Sequence, residues 1–424
     1  MTKNKIMTVK ITQTLLFVFF ISIVSNAQTQ KVLFIGNSYT GVNNLPQLVY
    51  NVAISVGDTL IYDAHTPGGN RLLNHATNAT ALAKINSNNW DHVVLQAQSQ
   101  EPSFPIGQVQ TEVFPYATIL CDSIRANDVC TRPVFYMTWG RENGDASNCA
   151  FFPPVCSYEG MDSLLNLRYR MMGNDNDAYV SPVGAVWHYI RDNYPNIDLY
   201  SGDGSHPSLA GSYAAACTFY TVLFEKNPTL IQFNSSLSES DANQIKEAAK
   251  AVAFDNLSEW NVGSFDPAAE FSFTKNGTEI AFINSSTFAD SFLWNFGDGE
   301  TSTEIEPVHD YQNNNVYTTQ LVADNCGISD TFSMELMIQV VATNDLLKSQ
   351  VKIYPSPTKG LVNIEFELEE MVRVKVTDVN GRVVYQGKNI SSPGVQFELR
   401  GNAGLYFVQV ANKSNTQLYK LIKI

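Results

Sequence analysis

The run Val32-Leu33-Phe34-Ile35, followed at once by Gly36-Asn37-Ser38, constrains this chain most. Four apolar residues in a row, without polar alternation, fit a strand buried on both faces. Central strands of parallel sheets have this character. Such a strand needs crossover helices and further strands beside it, and residues 31 to about 260 supply both patterns. We expect strands at 32–35, 59–64, 92–96, 134–138 and 178–180. Helical patterns fill 45–55 (with Pro46 suited to a first turn), 113–126, 183–193 and 209–224. Ser240-Asp241 reads as the cap of a last helix with Ala242, Ile245, Ala249 and Val252 on one face. The expected class is α/β: a three-layer α/β/α domain on a parallel five-stranded sheet.

Open parallel sheets place ligands at the carboxyl ends of their strands, which is where Ser38 would stand. A serine hydroxyl is a weak nucleophile until a base takes its proton and a third group orients that base. Far downstream, Asp203-Gly204-Ser205-His206-Pro207-Ser208 offers a carboxylate and an imidazole within one turn. Asp203 would hold Nδ1 of His206 and leave Nε2 facing Ser38. The fourth expected strand ends Trp139-Gly140-Arg141, bringing an aromatic face and a guanidinium toward the same edge. Asn37, Trp139 and Arg141 are therefore substrate-binding candidates. The scheme needs no metal and no cofactor, and His65, His75 and His92 form no ligand pattern.

A length of 424 residues points to two or three domains. The net charge of −14 argues against a nucleic-acid partner, which would require basic patches. Lys3, Lys5 and Lys10 precede an apolar run over 15–24 and then Ser25-Asn26-Ala27. This reads as a signal peptide over 1–27, leaving no transmembrane segment in the mature chain. Export permits disulfides. Among the six cysteines, Cys149 and Cys156 could staple one loop and Cys121 and Cys130 another. Cys217 reads as a buried thiol. Beyond residue 262 the composition changes to alternating apolar residues and turn-rich gaps, which predicts two small all-β sandwich domains at 263–342 and 343–424. Residues 344–350 read as their linker.

The blocks Ile35-Gly36-Asn37-Ser38-Tyr39 and Asp203-Gly204-Ser205-His206-Pro207 resemble the SGNH (GDSL-like) hydrolase superfamily over about residues 28–262. The resemblance implies a serine esterase with an oxyanion hole built from the Ser38 N–H, a glycine N–H and a side-chain amide. The glycine would come from Thr66-Pro67-Gly68-Gly69-Asn70, with Gly69 preferred. The family's asparagine is missing from Leu95-Gln96-Ala97-Gln98-Ser99, so Gln98 would supply the amide, with Gln96 as the alternative. Leu293-Trp294-Asn295-Phe296-Gly297-Asp298-Gly299 resembles a PKD domain. Ile353-Tyr354-Pro355-Ser356-Pro357, Val379-Asn380-Gly381 and the terminal Lys420-Leu421-Ile422-Lys423-Ile424 resemble the C-terminal sorting domain of the type IX secretion system. These imply a secreted or cell-surface protein that meets the type IX machinery. The expected substrate is an acylated polysaccharide losing O-acyl (acetyl) groups. The alternatives are a lipid or small-ester hydrolase of the same mechanism, and a catalytically inactive carbohydrate-binding or adhesion protein.

Overall fold

In the computed structural model, which describes residues 27–338, 351–366, 371–391, 393–412 and 416–424, five parallel strands form the N-terminal sheet. They are β1 (Thr29–Ile35), β2 (Thr59–His65), β3 (His92–Leu95), β4 (Arg132–Tyr136) and β5 (Tyr179–Ser181). Their spatial order is β2-β1-β3-β4-β5, and every pairing is parallel. Val32–Ile35, Val93–Leu95 and Val134–Tyr136 are wholly enclosed, as unalternating apolar runs require when helices cover both faces. β4 stops at Tyr136, two residues short of expectation: β5 ends at Ser181, to which Met137 N makes the last inter-strand bond, and the Met137 carbonyl accepts from Gly184 N instead.

The helices are α1 (Ser38–Gly41), α2 (Leu45–Ile54), α3 (Leu72–Ala76), α4 (Ala79–Ile85), α5 (Ile106–Glu112), α6 (Phe114–Asn127), α7 (Tyr158–Asp175), α8 (Val183–Asn193), α9 (Leu209–Phe224) and α10 (Glu239–Val252). α2, α8, α9 and α10 pack together, and α3 to α7 form a second group, giving the three layers. α9 is buried at every residue but Leu209, so it runs through the core rather than over it. α10 starts one turn earlier than its sequence suggests. Ser238, not Ser240 or Asp241, caps it, its hydroxyl accepting from the Asp241 N–H. The 18-residue α7 buries Tyr158, Met161, Leu165, Tyr169 and Met172 at helical spacing, with Asp162 the one charged residue on that face.

The middle region forms sheets β10-β7-β6 and β12-β11-β8-β9, from β6 (Phe271–Asn276), β7 (Glu279–Asn284), β8 (Ser291–Asn295), β9 (Thr301–Ser302), β10 (Val308–Asp310), β11 (Asn315–Asn325) and β12 (Ile328–Ile338). Trp294 fills its core against Phe271 and Phe282, with Nε1 donating to Glu304 O. Gly297 and Gly299 take positive φ in the turn, as glycine permits. The C-terminal region pairs β13 (Val351–Tyr354), β14 (Leu361–Phe366) and β17 (Gly394–Glu398) in one sheet. Its second sheet holds β15 (Val372–Asp378), β16 (Val383–Ile390), β18 (Gly404–Ala411) and β19 (Thr416–Lys423). Alternate residues, including Val362, Ile364, Val374, Val376, Val408 and Val410, make its core. The expected linker at 344–350 and the expected signal peptide lie outside the described residues, save Ala27. By contacts the chain divides into two units. One holds the described residues up to Glu270 with Ser285–Leu293 and Leu321–Phe332. The other holds Phe271–Asn284, Trp294–Gln320 and the described residues from Ser333 onward.

The cysteine pairing departs from expectation in one place. Cys149 bonds Cys156 as read, but Cys130 bonds Cys326, and Cys121 is a buried free thiol like Cys217. Burial pushes both thiols up to about 12, keeping them protonated. Cys121 points into the core from α6, so it cannot reach Cys130. The 130–326 bridge spans a sequence separation of 196 and the 149–156 bridge one of 7. Chain entropy assigns them roughly 5 and 2 kcal/mol. Replacing Cys130 and Cys326 with serine is expected to lower the melting temperature more than replacing Cys149 and Cys156. Peptide mapping without reductant should recover the 130–326 pair; a 121–130 peptide would contradict the fold.

Candidate active site

β1 delivers Gly36, Asn37 and Ser38 to the carboxyl edge of the sheet. A side chain at Gly36 would meet Thr40 Oγ1 at 2.5 Å and Gln96 Oε1 at 2.7 Å, so only glycine fits. Asn37 is almost fully buried and caps α1, its Oδ1 accepting from Tyr39 N at 3.1 Å. The same oxygen accepts from Gln96 Nε2 at 2.7 Å, and Asn37 Nδ2 donates to Asn70 O at 3.0 Å. An ionised aspartate could accept the first two bonds but not donate the third. The position therefore calls for an amide rather than a carboxylate.

Ser38 Oγ stands 2.9 Å from His206 Nε2, and His206 Nδ1 stands 2.6 Å from Asp203 Oδ2. These three groups, read from distant parts of the sequence, form one hydrogen-bonded line. Asp203 Oδ1 accepts from the N–H groups of Ser205 and His206 and from the Ser201 hydroxyl, each at 2.9 Å. Desolvation opposes its ionisation. The His206 side chain, those two N–H groups and the hydroxyl outweigh it and hold the carboxyl well below the usual range. Gly204 makes the turn at φ +62, and Glu142 N donates to its carbonyl. The Asp203 side chain is half exposed and that of His206 about one third.

The two glutamines separate by their partners. Gln96 Oε1 accepts from Asn37 N and Thr40 Oγ1, while its Nε2 donates to Asn37 Oδ1 and Ala97 O. Both of its N–H bonds are used. Gln98 Oε1 accepts from Gln100 N and Glu101 N, fixing the amide so that Nε2 points away; among the described residues Nε2 meets only Ser99 Oγ, at a long 3.4 Å. One Gln98 N–H remains to give. Gly69 has φ +73 and open space where a side chain would stand. Its loop and the Gln98 loop are joined by Arg71, whose guanidinium pairs with Glu101 and Glu112. That clamp was not legible in the sequence, although Arg71 adjoins the Gly-Gly turn and Glu101 the Gln98 block.

The substrate-binding candidates are placed differently from expectation. Asn37 is the internal strut described above. Trp139 is fully buried between Tyr39 and Trp187, with ring centroids 4.9 and 3.6 Å away, so no face is open to a sugar. Arg141 directs its terminal nitrogens inward to Asp145 Oδ1 at 3.2 Å and to Gln100 Oε1. A strand-end aromatic reads the same in sequence whether it faces solvent or core. Burial keeps His75 and His92 neutral, pushing them down to about 4 and about 3, and His65 is lowered for the same reason. Among the described residues no group of three His, Cys, Asp or Glu is arranged to hold a metal ion.

Residues 352–424 match the family model of the secretion system C-terminal sorting domain, and residues 266–340 that of the PKD domain. Among solved structures, the chain is similar to a DUF4886 family protein from Bacteroides uniformis. The two are 20% identical, with 54% of this chain and 96% of that one covered and a TM-score of 0.47. It is also similar to the psychrotrophic esterase EstA from Pseudoalteromonas sp., at 13% identity, 46% and 97% coverage and a TM-score of 0.33. A microbial collagenase from Vibrio alginolyticus is 34% identical over 71 residues, 16% of this chain and 9% of that protein. This chain spans about a tenth of the length of the curated relatives it matches. The chain is a secreted or cell-surface protein in which an α/β domain on a parallel five-stranded sheet precedes a segment that matches the PKD domain and one that matches the secretion system C-terminal sorting domain.

Proposed function

We propose that the protein is a serine ester hydrolase. The observation that carries this reading is the unbroken line Ser38 Oγ, His206 Nε2, His206 Nδ1, Asp203 Oδ2. In the first half-reaction His206 takes the Ser38 proton as Oγ attacks the ester carbonyl. The imidazolium then returns that proton to the leaving alcohol as the acyl-enzyme forms. In the second, His206 activates water, the acyl group leaves as its carboxylic acid, and Ser38 is regenerated. Asp203 fixes the tautomer that leaves Nε2 unprotonated and stabilises the imidazolium. The Ser38 N–H, the Gly69 N–H and Gln98 Nε2 receive the oxyanion.

The substrate class we assign is an O-acyl ester, of acetyl size, on extracellular carbohydrate. The open triad supports it, since a polymer must reach the serine without entering a tunnel. A concavity of about 540 Å³ lies in the C-terminal β region, lined by Asp378, Arg382 and Tyr406, and contains none of these groups. Export through the sorting domain puts the protein where such polymers are.

Substitutions in the triad and at the two glutamines test this reading. Ser38→Ala is expected to remove nearly all hydrolysis of a short-chain nitrophenyl ester, and His206→Ala to cost more than Asp203→Asn, since an orienting carboxylate is partly replaceable. Hydrolysis unchanged in Ser38→Ala would refute the covalent route. Gln98→Ala should lower kcat by roughly 10²–10³-fold with little change in KM, because the bond forms mainly in the transition state. Gln96→Ala should instead lower the melting temperature, because it strands the Asn37 amide in the core. A Gln96 variant that loses turnover with full stability would reverse the assignment.

A further inference from the structure

Behind the triad, three aromatic rings form a column. Trp187 stacks on Trp139 at 3.6 Å with planes 8° apart, and Trp139 on Tyr39 at 4.9 Å with planes 3° apart. Trp139 and Trp187 are fully buried, and Tyr39 nearly so. The column is anchored to α9, where Trp187 Nε1 donates to Gly211 O at 3.3 Å and any side chain at Gly211 would strike the indole. Its other end holds the acid–base turn. The Tyr39 and Ser205 hydroxyls share a hydrogen bond of 2.6 Å, and Trp139 Nε1 donates to Ser205 O at 3.1 Å. Ser205 N in turn donates to Asp203 Oδ1. The edge of Tyr39 also meets the His206 ring, with centroids 5.3 Å apart and planes at 69°.

Asp203 and His206 sit on a solvent-facing turn, where side chains ordinarily keep rotamer freedom. Ser205 lies between them and is gripped on both its hydroxyl and its carbonyl by buried rings. We propose that Tyr39, the residue after the nucleophile, is a positioning residue that locks His206 onto Ser38 through the Ser205 hydroxyl. The proposal rests on the triad reading above. Neither Tyr39 nor Ser205 bonds the reacting atoms; they act through the turn that carries His206. Burial raises the Tyr39 phenol above its ordinary range, so the hydroxyl stays neutral and remains in place as a hydrogen-bonding group.

The test uses the full chain. Wild type and Ser38→Ala are first treated with a fluorophosphonate; labelling of Ser38 in the wild type alone sustains the triad. Tyr39→Phe keeps the ring and loses the hydroxyl, and Ser205→Ala loses the other half of the bond. Each is expected to lower kcat on a short-chain ester by about tenfold to a hundredfold, with KM within about twofold, as a misaligned base would. The double variant should be no slower than either single one, because both remove the same link. Ser205→Thr, which restores a hydroxyl, should recover part of kcat. Normal labelling with unchanged kcat in both single variants, or losses that multiply in the double variant, would overturn the positioning role alone. A wild type that neither labels nor hydrolyses would overturn the triad reading itself. If Tyr39→Phe does not fold, Ser205→Ala and Ser205→Thr decide the question by the same readouts.

Discussion

The buried amide pair Asn37–Gln96 is the interaction on which the rest of the site depends. It joins the end of β1 to the end of β3 through Asn37 N to Gln96 Oε1 and Gln96 Nε2 to Asn37 Oδ1. The same two side chains reach Tyr39 N, Thr40 Oγ1, Ala97 O and Asn70 O. Both amide oxygens accept two bonds, and each amide nitrogen donates to at least one partner, so burial of the pair leaves no side-chain polar atom without a partner. Partial loss would be costly, because the stranded partner cannot reach water. Ser38 follows this pair directly, and its orientation is fixed by the sheet core rather than by a mobile loop.

The opposite side of the site has a different character. The Asp203–His206 turn is open to solvent, yet its carboxylate is held ionised by bonds from its own turn and its middle residue is held by the aromatic column. A rigid interior template thus supports a solvent-accessible Asp–His pair. The proposed hydrolysis of a polymer ester would need both access and precise alignment.

Much of this was legible in the sequence. The unalternating run Val32–Ile35, followed by alternating strand and helix patterns, announced a parallel sheet because crossover helices are what cover such a strand on both faces. That Ser38, Asp203 and His206 meet in one hydrogen-bonded line was legible because a serine after a central strand and a distant Asp-x-x-His turn are a specific pairing. Gln96 and Gln98 were not separable, since one residue type at neighbouring positions differs only in its hydrogen-bond partners. Trp139 reads as a substrate-binding candidate because sequence reports a residue's place along the strand but not whether its face is covered. Cys130 found a partner far along the chain in Cys326, and no local spacing encodes a link of that span. The Arg71–Glu101 clamp and the Tyr39–Ser205 link were hidden likewise, each bridging separate loops.

The central claim is that Ser38 becomes covalently acylated. The most direct measurement is rapid acid quench of the full chain during turnover of a nitrophenyl acetate, followed by mass spectrometry of the peptide containing Gly36-Asn37-Ser38-Tyr39. The account predicts an acetyl group on Ser38 that appears with the first turnover and is absent from Ser38→Ala. Turnover that proceeds with Ser38 unmodified throughout, or an acetyl group that forms equally in Ser38→Ala, would contradict it.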